Sequence, residues 1–176
     1  LRSLSFRPGD EILLTNQGYN ACRNTAEFVA ERTGARVTVA TIPFPLRSPD
    51  EVLEAVFAAV TPRTRLALLD HVTSPTGLCF ELSATIAALE ARGVAVLVDG
   101  AHAPGQLPLA IDALGASYYA ANLHKWLCAP KGSAALVVRS DRRAATLPLA
   151  TSHGATLKDD TRSRLSAIID AGLGTF

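Results

Sequence analysis

Asp99 follows five apolar residues, Val94–Val98, and precedes Gly100, so its carboxylate stands at the mouth of a buried strand, where an unpaired charge is costly. Two uses fit such a group: a turn or helix-capping aspartate, or a carboxylate set against a cationic partner such as a protonated pyridine nitrogen or a metal. Lys125 lies between His124 and Trp126 in Asn122-Leu123-His124-Lys125-Trp126-Leu127. A lysine in so apolar a setting is partly desolvated and can form a Schiff base; the other reading is a surface lysine lying along apolar side chains. Only Lys125, Lys131 and Lys158 are lysines among the 17 basic residues, so few positions compete for that role. His102 and His124, each taken alone, read as ordinary hydrogen-bonded histidines. The combination says more. Carbonyl chemistry on pyridoxal phosphate needs a lysine to hold the aldehyde, a carboxylate to keep the pyridine nitrogen protonated, and donors for the phenolate and phosphate. Asp99, Lys125, Ser74, His102, Asn122 and His124 supply all of these.

Positioning them falls to an alternation of strands and helices. Glu11–Thr15 is a short apolar run after the turn signal Arg7-Pro8-Gly9-Asp10, and it reads as a buried strand. Ala21 to Thr33 places apolar residues at spacings of three and four and stops at Gly34, which predicts a helix. The pair then repeats: a strand at Arg36–Ile42, and a helix from Ser48-Pro49 to about Val60 with Ser48 as its cap. Strands follow at Arg65–Asp70 and Val94–Val98, with a helix between them across Leu82–Arg92, and then at Tyr118–Ala121 and Ala134–Val138, the last of them antiparallel. Apolar strands separated by helices predict an α/β fold with a mostly parallel central sheet and helices on both faces. Ligands of such sheets sit beyond the carboxyl ends of the strands. Those ends carry Asn16-Gln17-Gly18-Tyr19, His71 to Gly77, Asp99 to His102, and Asn122 to Lys125. Beyond Arg139 the pattern decays, with one further helix expected at Thr161–Ile169.

Composition narrows the partners. A chain of 176 residues with 48% hydrophobic and 19% charged residues can bury a core, and a net charge of +1 provides no field for nucleic acid or an anionic membrane. No apolar run approaches the ~20 residues of a membrane span. Three widely spaced cysteines, Cys22, Cys79 and Cys128, fit neither a disulfide framework nor paired zinc knuckles, so a reducing cytoplasm is the expected setting. The absence of methionine favours a piece of a longer chain.

The segments Val98-Asp99-Gly100-Ala101-His102-Ala103-Pro104-Gly105 and Asn122 to Gly132 resemble the two cofactor motifs of class V aminotransferase-family enzymes of fold type I, and most of all the isopenicillin N epimerase-like subgroup. Phe6 to Leu13, Tyr19-Asn20-Ala21 and His71 to Gly77 are also similar to family segments. An Asp-x-x-His motif ahead of a His-Lys pair in a βα frame is a specific signal. The resemblance implies that Lys125 is the Schiff-base lysine and that Asp99 pairs with the pyridine nitrogen. It further implies that His102 and Ser74, beside Thr73, lie near the phenolic oxygen, that Ala101 packs on one ring face, and that Asn122 and His124 approach the phosphate. Gln17 stands where many relatives carry a ring-stacking histidine, so stacking falls to Tyr19. An amino-acid-type substrate and a homodimer are implied as well.

Family members are about twice as long. Residues 1–140 are therefore expected to be part of a cofactor-binding large domain, and 141–176 the start of a connection toward a small C-terminal domain. The phosphate-receiving helix start is expected upstream of Leu1, so that this segment by itself holds the cofactor weakly. Two other readings stay open at this point: a non-catalytic remnant acting at most as a binding module, and a metal-dependent hydrolase using Asp99, His102 and His124, whose spacing is not compact and whose neighbour Lys125 would repel the cation.

Overall fold

A computed structural model describes residues 1–146. In chain order these form β1 (Glu11–Thr15), α1 (Asn20–Thr33), β2 (Arg36–Ala40), α2 (Asp50–Ala59), β3 (Thr64–Asp70), α3 (Leu82–Glu90), β4 (Ala95–Asp99), α4 (Ile111–Leu114), β5 (Tyr118–Asn122) and β6 (Ala134–Val138), followed by a 3-10 turn at Ser140–Ala145. The six strands make one sheet in the order β2-β1-β3-β4-β5-β6. All neighbours run parallel except β5 and β6, which are antiparallel. This is the expected α/β architecture, and β6 has the expected direction.

Both faces of the sheet are covered, because the strands are apolar on both sides. On one face Leu13, Ala67, Leu69, Val96, Val98 and Tyr119 pack with Val52 and Val56 of α2 and with Leu82, Ile86 and Leu89 of α3. On the other, Ile12, Leu14, Leu66, Leu68 and Tyr118 pack with Ala26 and Val29 of α1. A fully buried side chain of this size contributes about 1.5–3 kcal/mol, so Ile86 and Leu89, both 0% exposed, anchor α3 firmly.

Element ends differ from expectation by a residue or two, for local reasons. β2 stops at Ala40 rather than Ile42 because the Asn16 side chain takes over: its Oδ1 accepts from the Ile42 N–H at 2.9 Å and its Nδ2 donates to the Ile42 carbonyl at 3.1 Å. Pro49 rather than Ser48 occupies the cap position of α2, and Ser48 stands one residue before it, its Oγ accepting from the Asp50 N–H at 3.2 Å. The short α4, between Pro108 and the left-handed Gly115, has too few residues to show a helical period. The helix expected at Thr161–Ile169, and most of the connection expected from residue 141, lie outside the described residues. No helix among the described residues is long and apolar enough to cross a membrane.

The chain turns from β1 to β2 on one side and then crosses to β3 on the other. The carboxyl ends of β1 and β3 therefore border the crevice where open α/β sheets bind ligands.

Candidate active site

Alternation along the strands decides which side chains reach this crevice. Successive residues point to opposite faces, so Leu68 and Asp70 of β3, Leu97 and Asp99 of β4, and Ala120 and Asn122 of β5 share the α1 face. Leu68 pairs with Leu97, Asp70 with Asp99, and Asp99 with Ala120 across the parallel ladder. Their ends border a cavity of about 400 Å³, which is closed by Tyr19 and Cys22 of the α1 start and by Ser74, Ala101, His102 and Lys125. Seven of the ten residues expected at the site thus converge: Tyr19, Ser74, Asp99, Ala101, His102, Asn122 and Lys125.

Lys125 Nζ lies 3.2 Å from His102 Nε2 and 5.9 Å from the centre of the Tyr19 ring. His102 Nδ1 accepts the Trp126 indole N–H at 3.1 Å. An indole nitrogen only donates, so Nδ1 carries no hydrogen, and in the neutral ring Nε2–H is the group turned toward Lys125. Burial holds His102 below its ordinary value, and positive charge on Lys125 opposes the imidazolium further. Trp126 thereby fixes which nitrogen of His102 offers a proton to the cavity.

Asp99 is fully engaged on its own side. Its Oδ1 accepts the Ala101 N–H at 3.0 Å and its Oδ2 accepts the Cys22 thiol at 3.2 Å. Burial, then the Asp99 charge, pushes the Cys22 thiol up to about 12, so Cys22 is a donor and not a thiolate nucleophile. Beside this pair Asp70 is 4% exposed, and burial followed by the Asp99 charge raises it to about 7. Among the described residues neither Asp70 nor Asp99 enters an ion pair. Sequence reading missed both Asp70 and Cys22. The signal for Asp70 was present, since it ends Leu66-Ala67-Leu68-Leu69 as Asp99 ends Val96-Leu97-Val98.

Three expected residues sit elsewhere. Gln17 is buried at 8% exposure, with Oε1 accepting from the Thr76 hydroxyl at 2.9 Å, and Thr73 shares a hydroxyl contact with Thr76 at 2.7 Å while accepting from the Leu78 N–H. Both brace the loop that carries Ser74. His124 Nδ1 meets the Ser133 carbonyl at 2.9 Å. Because that bond needs a hydrogen on Nδ1, Nε2 of the neutral ring can only accept.

Two glycines let the loop after β4 fold onto its neighbours. A Cβ on Gly100 would run into the Tyr119 ring; that ring in turn holds His71 Nδ1 through its hydroxyl at 2.8 Å. Gly105 has φ +86°, and a Cβ there would stand 2.5 Å from the Trp126 carbonyl. Gly105→Ala is therefore expected to cost about 1–3 kcal/mol in stability from the backbone conformation alone, with more from the clash. Chemical denaturation checks the loss. Fluorescence of Trp126, the one tryptophan in the chain, should report its displacement from His102.

Comparison with known proteins places this arrangement. The sequence profile described as aminotransferase class-V matches residues 1–166. The isopenicillin N epimerase of Amycolatopsis lactamdurans is 44% identical over 147 residues, 83% of this chain and 37% of that protein. A putative L-cysteine desulfhydrase of Oryza sativa subsp. japonica is 35% identical over 77% of this chain and 30% of its own length. Among solved structures, the cysteine desulfurase CsdA of Escherichia coli superposes with a TM-score of 0.75 at 28% identity, over 88% of this chain and 38% of CsdA. The cystine C–S lyase C-DES, in complex with its product cysteine persulfide, gives a TM-score of 0.73 at 31% identity over 82% of this chain and 39% of C-DES. The chain thus spans between 30% and 39% of the length of these relatives. A match over nearly all of its residues, on the fold and with the Asp99 and Lys125 segments brought to one cavity, makes the chain a member of the class V aminotransferase family.

Proposed function

We propose that the protein is a pyridoxal-phosphate-dependent enzyme acting on an amino acid, with Lys125 as the residue that takes up the cofactor's aldehyde. The observation that carries this reading is the convergence of the Lys125 amine and the Asp99 carboxylate, which enters no ion pair among the described residues, on a single cavity of about 400 Å³, within the size range of small-molecule sites. The donor set fits the group. When bound, the cofactor supplies an electron sink for charge developing at the amino acid's α-carbon.

The chain's own residues set the conditions for that chemistry. Asp99 would face the pyridine nitrogen, with its ionised form supported by the Cys22 thiol and the Ala101 N–H. His102 Nε2–H, with its tautomer set by Trp126, and the Ser74 hydroxyl would donate to the phenolic oxygen. Ala101 would pack on one face of the ring and Tyr19 would close the other. Asn122 would approach the phosphate, and His124 would do so as a donor only when doubly protonated, because Nδ1 is committed to Ser133. Gln17 and Thr73 act through the loop they brace. In this reading residues 1–140 form the cofactor-binding domain and 141 onward lead toward a smaller one. The enzyme is a homodimer in which a partner covers the exposed Tyr19 and Trp126.

Epimerisation, carbon–sulfur or carbon–nitrogen lysis and transamination differ in which proton or bond is removed and returned at the same bound amino acid. The identity of 44% to an isopenicillin N epimerase and 40% to a second, from Streptomyces clavuligerus, favours the epimerase type. A metal-dependent hydrolase has less support, since no group of three His, Cys, Asp or Glu side chains that could hold a metal ion occurs among the described residues.

Adding pyridoxal phosphate to the protein should produce the long-wavelength absorbance of a lysine-bound cofactor, while divalent metals leave the spectrum unchanged. A spectrum that stays that of the free aldehyde at every cofactor concentration would count against the proposal.

A further inference from the structure

Asp70 is a buried titratable group that the chemistry above does not use. It closes β3 as Asp99 closes β4, the two are partners in the parallel ladder, and both side chains border the same cavity. Two carboxylates side by side in a poorly hydrated site do not both ionise without a cation between them. Among the described residues no side chain forms an ion pair with either, and burial holds the amine of Leu1, which borders the same cavity, below its ordinary value. From α1, Cys22 gives its thiol hydrogen to Asp99, and Arg23 borders a small void beneath both carboxylates but forms an ion pair with neither. From the turn between β1 and α1 come Thr15, Gly18 and Tyr19, which carry no charge at neutral pH. From the loop after β5, Lys125 is turned to His102. A proton is the cation left.

We propose that Asp70 is a positioning residue, held as the neutral acid, which keeps the Asp70–Asp99 pair at one negative charge and confines that charge to Asp99. The surroundings of the two groups decide which of them ionises. Each Asp99 oxygen accepts a hydrogen bond, from Ala101 and from Cys22, and such bonds favour a carboxylate. Asp70 also has the Tyr19 N–H and the Thr15 hydroxyl beside it, which favour its ionised form, but it is almost wholly buried at 4% exposure, and burial outweighs them. Its rise to about 7, from burial first and the Asp99 charge second, agrees with that division. Above neutral pH the cavity gains a second negative charge. The use of this arrangement in catalysis rests on the pyridoxal-phosphate reading, whereas the charge state of the pair does not.

The test is a carboxyl-carbon NMR titration of the protein without cofactor, in the wild type, Asp99→Asn and Asp70→Asn. In the wild type one buried carboxyl should titrate near pH 7. In Asp99→Asn its midpoint should fall by about one pH unit or more, since a neighbouring charge is gone. In Asp70→Asn the step near pH 7 should vanish. Stability carries a second signature. The folded state binds the Asp70 proton more tightly than the unfolded chain, so this group's contribution is full at acid pH and falls as pH rises from about 4 to about 7. Asp70→Asn should remove that fall. An Asp70 that titrates in the ordinary aspartate range, or whose midpoint does not move in Asp99→Asn, would overturn the proposal. The Asp99→Asn arm decides the matter even if Asp70→Asn does not fold. Failure of cofactor attachment at Lys125 would leave these titrations unaffected, so the two readings fail separately.

Discussion

Lys125→Ala is expected to lower turnover by roughly 10⁴-fold or more, the scale on which removing a covalent nucleophile acts, with the fold intact. The side chain is half-buried at the edge of the cavity, and the 3.2 Å approach of its Nζ to His102 is its one close polar contact among the described residues, so truncation removes little packing. Lys125→Arg separates the two roles of the residue. It keeps a positive charge over the Tyr19 ring but cannot take up an aldehyde, and it should be as inactive as the alanine variant. Steady-state kinetics of both variants, with circular dichroism to confirm folding, checks the expectation. An arginine variant with most of the wild-type rate would assign Lys125 an electrostatic role only.

Asp99→Asn has the second largest expected effect. Asparagine is nearly the same shape, but its single carbonyl oxygen can accept from only one of the Ala101 N–H and the Cys22 thiol, which meet different oxygens of Asp99, so the fold should be retained at a cost of about one hydrogen bond, roughly 0.5–1.5 kcal/mol. The negative charge is lost, and with it the group that would keep the pyridine nitrogen protonated. By analogy with other preorganised electrostatic sites, kcat should drop roughly 10²–10³-fold. The Cys22 thiol, held up to about 12 in part by the Asp99 charge, should titrate lower in the variant, which an alkylation rate measured against pH will show. Undiminished kcat in a folded Asp99→Asn protein would refute the assignment.

Much of this arrangement is legible in the sequence, and the reasons it is not all legible are physical. Strands β1, β3, β4 and β5 are short apolar runs between turn signals, and each leads into a polar stretch, so the parallel sheet and the position of its crevice follow from pattern alone. Asp99 and Lys125 stand out because each is an ionisable group at the end of such a run. Asp70 has the same credentials but reads as part of its strand. What makes it notable, the β3–β4 register that sets it beside Asp99, is a tertiary fact. Side-chain direction is equally hidden. Gln17 and Thr73 occupy expected places in the chain, yet they turn toward Thr76. Likewise His124, one residue from Lys125 in the loop after β5, turns to the Ser133 carbonyl.

The central claim is that Lys125 is the residue to which the cofactor attaches. The most direct measurement is borohydride reduction of the protein incubated with pyridoxal phosphate, followed by peptide mapping by mass spectrometry. Reduction converts the linkage to a stable secondary amine, so the modified residue is read without reference to activity. The pyridoxyl group should be found on Lys125. A pyridoxyl group found on Lys131 or Lys158 instead, or a Lys125 peptide that remains unmodified at saturating cofactor, would contradict it.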